Sequence, residues 1–229
     1  MFGYPTGIGA LVARKDALEK LNRPWFAGGT ISIATVQADA YYLHVNEAGF
    51  EDGTINYLGI PAVEIGLKHL QQVGVNKIQQ RVTLLSGYLL RFMADLKHSN
   101  GQPVIKIYGP TDTESRGATF AFNVYDPQGH VIPYQIVETA ANSLNISLRT
   151  GCFCNPGAGE TAHGLTASDL QPCFLNDRID FTEMAERLVE KHSTDIVGAI
   201  RASLGIASNF ADAYRLTAFL SLFVDEDAP

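Results

Sequence analysis

Leu148-Arg149-Thr150-Gly151-Cys152-Phe153-Cys154-Asn155-Pro156-Gly157-Ala158-Gly159 is the stretch around which the chain is best read. It holds two of the three cysteines and an arginine, and its Gly and Pro content predicts an irregular loop. The run ahead of it, Asn145-Ile146-Ser147-Leu148-Arg149, alternates apolar and polar residues and predicts a short strand. A cation beside a thiol favours the thiolate, which is the nucleophilic form. A loop also lets that sulfur travel toward a substrate held elsewhere. Three readings stand side by side: a reduced structural pair, a reactive loop thiol, and a zinc site from Cys152, Cys154, His163 and Cys173. The zinc separations match none of the compact ligand patterns. A disulfide between Cys152 and Cys154 would close a strained ring.

The rest of the composition narrows the classes. A length of 229 residues and a hydrophobic fraction of 46% suit one large or two small globular domains. The formal charge of −7 and the lack of a basic block argue against nucleic acid as a partner. No apolar run approaches the roughly 20 residues that span a bilayer. The first residues show neither a basic segment nor an apolar core, so no secretory signal is expected, and three cysteines then point to a reducing cytosol.

Taken in order, Gly3, Pro5, Gly7 and Gly9 predict an opening turn, and residues 8–13 predict a buried strand. A short helix over 15–22, a glycine turn over 24–30 and a strand over 31–36 follow. Asp52-Gly53-Thr54 precedes an apolar helix and offers N–H groups and a hydroxyl, either as an anion seat or as an ordinary helix N-cap. Apolar spacings of three and four predict helices from Ile60 and from Ile78, broken at Gly74. Strands over 104–108 and 118–124, a turn at 126–129 and a helix over 136–144 lead to the cysteine stretch. A helix over 181–192, a strand over 199–205 with Arg201 and Ser203 on one face, a helix over 210–224 and a disordered acidic tail at 225–227 complete the pattern, which is α+β after residue 103.

Seven stretches together resemble one family, the fold-type I, class V aminotransferase-like pyridoxal phosphate (PLP) enzymes, and within it the cysteine-desulfurase-like members that serve molybdenum cofactor sulfuration. They are residues 2–9, Gly28-Gly29-Thr30, residues 50–54, Gly59-Ile60-Pro61-Ala62, Phe122-Asn123-Val124, residues 149–158 and Arg201-Ala202-Ser203-Leu204-Gly205. The most specific is Arg149-Thr150-Gly151-Cys152-Phe153-Cys154-Asn155. The resemblance implies an α/β fold in which residues 1–60 end a large parallel-sheet PLP-binding domain. Residues 61–103 would be connecting helices, and residues 104–229 a small C-terminal α+β domain.

The resemblance further implies that Cys154 takes sulfur from L-cysteine as a persulfide, with Cys152 ranked second. Arg201 would bind the substrate α-carboxylate, with Arg149 beside the cysteine stretch. Gly53 and Thr54 would reach the PLP phosphate across a homodimer. The family's Schiff-base lysine would fall one position ahead of Met1, so the isolated chain is expected to hold no covalent PLP and to be inactive. Its parent would pass sulfur to an acceptor protein or cofactor, with neither nucleic acid nor membrane as a partner. Other chemistry on a small amino acid, or a silent fragment that binds a partner or accepts sulfur at Cys154, are the alternatives. The expected exposed apolar surface over residues 1–60 makes the isolated chain prone to association.

Overall fold

In a computed structural model that describes residues 7–114, 116–174, 179–192 and 198–228, the chain divides into two units, Met1–Val75 and Asn76–Pro229. The expected opening turn at Gly3 and Pro5, with most of the first family-like stretch, lies outside the described residues.

The first unit contains α1 (Lys15–Leu18), β1 (Ile31–Thr35), β2 (Ala40–Leu43) and α2 (Ile60–Val73). β1 and β2 form an antiparallel hairpin whose connection places Asp39 at a φ of 45°. β2 was not legible from the sequence, because its side chains are only partly buried and its period is weak. The strand expected over 8–13 is absent: those residues are irregular, with Leu11 and Val12 88% and 95% exposed. An apolar run becomes a strand only when a neighbour pairs with it, and here none of the described residues does. Among the unit's described residues only Thr30 and Gly49 are buried.

α2 begins after Gly59, with Pro61 in its first turn, and ends at Gly74, whose φ of 95° suits a residue without a side chain. The break expected at Gly74 is therefore present. Thr54 is not the N-cap of α2, which starts later, at Ile60.

The second unit begins within α3 (Val75–Asp95) and continues through β3 (Ile105–Tyr108), β4 (Thr119–Tyr125), β5 (Val131–Ile132), α4 (Tyr134–Ser143) and β6 (Arg149–Gly151). α5 (Pro156–His163), α6 (Ala167–Leu170), α7 (Phe181–His192), β7 (Ala199–Ser203) and α8 (Phe210–Leu220) follow. The sheet is antiparallel in the order β3-β4-β7-β6, with β5 beside β4. Period-2 alternation in β4 sends Phe120, Phe122 and Val124 to one face, where all three are fully buried. Leu89 and Met93 of α3, Val137 of α4 and Leu216, Phe219 and Leu220 of α8 join them with Ile200 of β7 in one core. The opposite face carries Lys106, Tyr108, Ala121, Asn123, Arg201 and Arg149, and it is the face that matters below.

Two sequence expectations change here. The strand read over 145–149 begins only at Arg149, because Asn145 adopts a left-handed φ of 55° after α4 and Ile146 N–H donates to Ala141 O at 2.9 Å. The acidic tail is not loose at its start. The Asp225 carboxylate accepts from Ser99 N at 2.8 Å and the Asp225 N–H donates to His98 Nδ1 at 2.9 Å, while His98 Nε2 faces Tyr125 O at 3.0 Å.

Two predictions follow from this packing. Phe122→Ala leaves a cavity in the centre of the core and should cost about 3–5 kcal/mol, read as a lower denaturant midpoint at unchanged slope. Asp126 is buried in the turn after β4. Burial alone would raise its carboxyl pKa, but hydrogen bonds from the His130 backbone and ring and from the Ala228 and Gln128 N–H groups hold it below the usual range. A depressed carboxyl stabilises the fold above its unfolded pKa, near 4, and that stabilisation is lost as pH falls through the folded value. Asp126→Asn should therefore shrink the drop in denaturant midpoint between neutral and acid pH, and an unchanged acid drop would refute the assignment.

Candidate active site

β6 and β7 pair with Arg149 directly opposite Arg201, and Arg201 in turn lies opposite Ala121 of β4. Like charges set face to face on neighbouring strands repel. Both side chains are exposed, and neither has a hydrogen bond or ion pair among the described residues. The small Ala121 leaves the space beside Arg201 open. Two unpartnered guanidiniums over a small residue can pair with an anion, and a carboxylate suits their planar donor forks.

The cysteines sit at the end of this row. β6 ends at Gly151, and only Cys152, Phe153, Cys154 and Asn155 separate it from α5. The Gly-Pro run read as loop is thus half helix. Asn155 is its N-cap, accepting from Ala158 N at 3.2 Å, Pro156 takes the first turn, and Gly164 closes the helix with a left-handed φ of 67°.

Phe153 anchors the short connection. Its ring lies 6.0 Å from that of Tyr108 and 5.8 Å from that of His163, and Tyr108 and His163 are 5.4 Å apart, all three edge to face. Gly159 is the residue that lets Phe153 lie against α5, since a Cβ there would meet the Phe153 ring at 3.3 Å. With Phe153 turned in, the two flanking thiols face outward and are exposed. A concavity of about 110 Å³ is lined by Cys152, Cys154, Arg149, Arg201 and Ala121, so Cys154, Arg149 and Arg201, three residues singled out in the sequence, share one surface.

Asn123 and Tyr108 were missed as site residues. Asn123 is buried and donates to Tyr108 OH and to Gly198 O, both at 3.1 Å, tying β3 and the entry to β7 to the centre of β4. Burial, with Tyr125 nearby, keeps the Tyr108 hydroxyl protonated well above its usual range. The polar residue at Asn123 breaks an apolar run in the sequence, which was the available signal. The zinc reading fails among the described residues: no group of three or more His, Cys, Asp or Glu could hold a metal, and Cys173 is buried with its thiol toward Asp169 O at 3.8 Å.

Gly53 and Thr54 lie in the first unit, where the Gly53 N–H donates to Gly28 O at 2.6 Å and is not free for an anion. A Cβ on Gly29 would sit 2.5 Å from Gly53 O, so the glycine turn and this loop touch through backbone alone. The Thr54 hydroxyl is exposed and has no partner among the described residues.

Comparison with known proteins decides the family, since residues 1–216 match the aminotransferase class-V family. The chain belongs to that family. It is 36% identical over 221 residues to the molybdenum cofactor sulfurase of Solanum lycopersicum, covering 96% of this chain and 26% of the relative. It is 34% identical over 231 residues to that of Homo sapiens, covering 98% and 25%. Among solved structures, the cysteine desulfurase of Thermococcus onnurineus NA1 superposes with a TM-score of 0.60 at 20% identity, covering 96% of this chain and 44% of that one. The cystine C-S lyase C-DES, solved with its reaction product cysteine persulfide, superposes with a TM-score of 0.59 at 17% identity, covering 97% and 44%. These structures share the fold, which is the α/β fold of class V enzymes. The chain spans about a quarter of the length of these sulfurases and under half of these solved chains. No helix among its described residues is long and apolar enough to cross a membrane.

The packing of Phe153 gives a direct test. Gly159→Val should expel the ring and free the connection, raising the rate of proteolytic cleavage at residues 152–155 several-fold while Gly159→Ala raises it less. Equal cleavage in all three proteins would show that Phe153 does not anchor the cysteines.

Proposed function

We propose that the chain is the C-terminal part of a PLP-dependent, cysteine-desulfurase-like sulfurtransferase that moves sulfur from L-cysteine through a cysteine persulfide. The observation that carries this reading is the shared concavity of Cys154, Arg149 and Arg201. Arg201, unpaired and beside Ala121, takes the substrate α-carboxylate with a bidentate fork. Arg149, facing it, adds a second positive charge that holds the anion, and the anion in turn offsets the repulsion between the two cations. Cys154 lies within the same surface, on a connection short enough to be positioned and exposed enough to reach a side-chain sulfur. Its thiolate attacks that sulfur and the substrate Cβ–S bond breaks; the bond's electron pair stays with the carbon, which takes a proton and leaves as alanine, while Cys154 keeps the sulfur as a persulfide.

PLP, when bound, supplies the electron sink that weakens the bonds of the amino acid. Of this chain's residues, Thr54 would hold the phosphate through its hydroxyl, which has no partner among the described residues. Gly53 serves by shaping the loop that carries it, since its own N–H is already used. We assign residues 1–60 to the end of the large PLP-binding domain, 61–103 to connecting helices and 104–229 to the small domain. In the complete enzyme we place Thr54 against a neighbouring subunit's cofactor, which makes a homodimer. The sulfur leaves to an acceptor protein or cofactor, and free exposed thiols favour the cytosol.

In the complete enzyme, Cys154→Ala should abolish alanine release from L-cysteine and leave the PLP absorbance unchanged. Arg201→Lys should raise KM by roughly 10- to 100-fold, because a lost charged hydrogen bond is worth about 1.5–3 kcal/mol. Normal alanine release by the Cys154→Ala enzyme would end the reading.

A further inference from the structure

Behind the cysteine connection lies a second cavity, about 330 Å³ in volume, whose walls are largely apolar and include Phe153, Leu170, Phe174 and Met184. Cys152 borders this cavity and also the smaller one that holds Arg201 and Cys154, whereas Cys154 borders only the smaller. Cys152 is thus the one cysteine that stands between the two. Glu160 and His163, both in α5, also line this wall. Both ring nitrogens of His163 are buried, no side chain among the described residues hydrogen-bonds to them, and the Gly198 carbonyl can serve only one, so at least one nitrogen lacks a partner there. Buried polar atoms normally find partners, and those that do not are candidates for a chemical role. Burial, and then the charge of Lys106, lower the His163 pKa, and the Gly198 carbonyl only partly opposes them. The imidazole is therefore neutral at physiological pH and can accept a proton. The other ionisable groups around it are Tyr108, held protonated, and Cys152 and Glu160 on the cavity wall.

We propose that Cys152 is a relay thiol: with His163 as its base, it takes the outer sulfur from the Cys154 persulfide and holds it at the apolar cavity. The Cys152 S–H proton passes to His163. The Cys152 thiolate attacks the terminal sulfur of Cys154–S–SH, forming a new S–S bond as the old one breaks. Cys154 leaves as thiolate and recovers a proton from the imidazolium, so nothing is oxidised or reduced overall. The relay frees Cys154 for the next substrate while the sulfur waits apart from the two arginines. A soft, poorly hydrated sulfur atom suits a largely apolar wall. This inference rests on the desulfurase reading for its source of sulfur, yet its chemistry belongs to residues of this chain alone.

The test uses the full 229-residue chain without cofactor or L-cysteine, so its failure is distinct from failure of the desulfurase reading. Iodoacetamide alkylation at neutral pH, followed by peptide mass spectrometry, should show Cys152 slowed at least about tenfold in His163→Phe and His163→Gln, with Cys154 unaffected. Limiting inorganic polysulfide should place a persulfide first on Cys154 and later on Cys152 in the unmodified chain. In both His163 variants the label should stay on Cys154. A label that never reaches Cys152, or reaches it equally fast in either variant, overturns the relay, as does unchanged Cys152 alkylation in both.

Discussion

Arg149 and Arg201 confront each other across a pair of hydrogen-bonded strands, and the rest of the second unit is arranged so that this repulsion can persist. Strand pairs with like charges opposed lose stability. The cost is met on the other face of the same sheet. There Phe120, Phe122, Val124 and Ile200 are fully buried beneath α3, α4 and α8. Apolar burial fixes the register, and the register then forces the two cations together. An anion placed between two such cations would relieve the repulsion that the pairing imposes.

The cysteine connection obeys a similar division. Phe153 spends its ring on Tyr108 and His163, and in doing so it turns both neighbouring thiols outward. The two cysteines nevertheless face different surroundings. Cys154 shares only the charged concavity, while Cys152 also borders the apolar cavity. One residue of separation along the chain therefore becomes a difference in chemical environment.

The first unit contrasts with the second. It buries only Thr30 and Gly49 among its described residues, and leaves Trp25, Val36, Val45 and Leu58 exposed. An apolar core of its own would require more strands than the β1–β2 hairpin provides. The chain spans about a quarter of the length of the curated relatives described above. The backbone contact between Gly29 and Gly53 is nonetheless built locally, because it needs only two glycines and a hydrogen bond.

Much of this was legible in the sequence. The long periodic helices, the break at Gly74, the alternation of β4 and β7 and the Arg-Thr-Gly-Cys-Phe-Cys-Asn stretch each follow from spacing or residue type, which local chain geometry obeys directly. The failures share a cause. Residues 8–13 were apolar enough for a strand but have no described neighbour to pair with, and Pro156 to Gly159 looked like loop until Asn155 capped them into α5. The pairing of Arg149 with Arg201 joins residues 52 positions apart. The isolation of His163 depends on what Tyr108 and Phe153 cover, and Cys152 differs from Cys154 only because of walls contributed by distant elements. Local patterns determine which segments can be helix or strand; strand register and burial are long-range, and they alone decided which charges meet and which sulfur borders the apolar cavity.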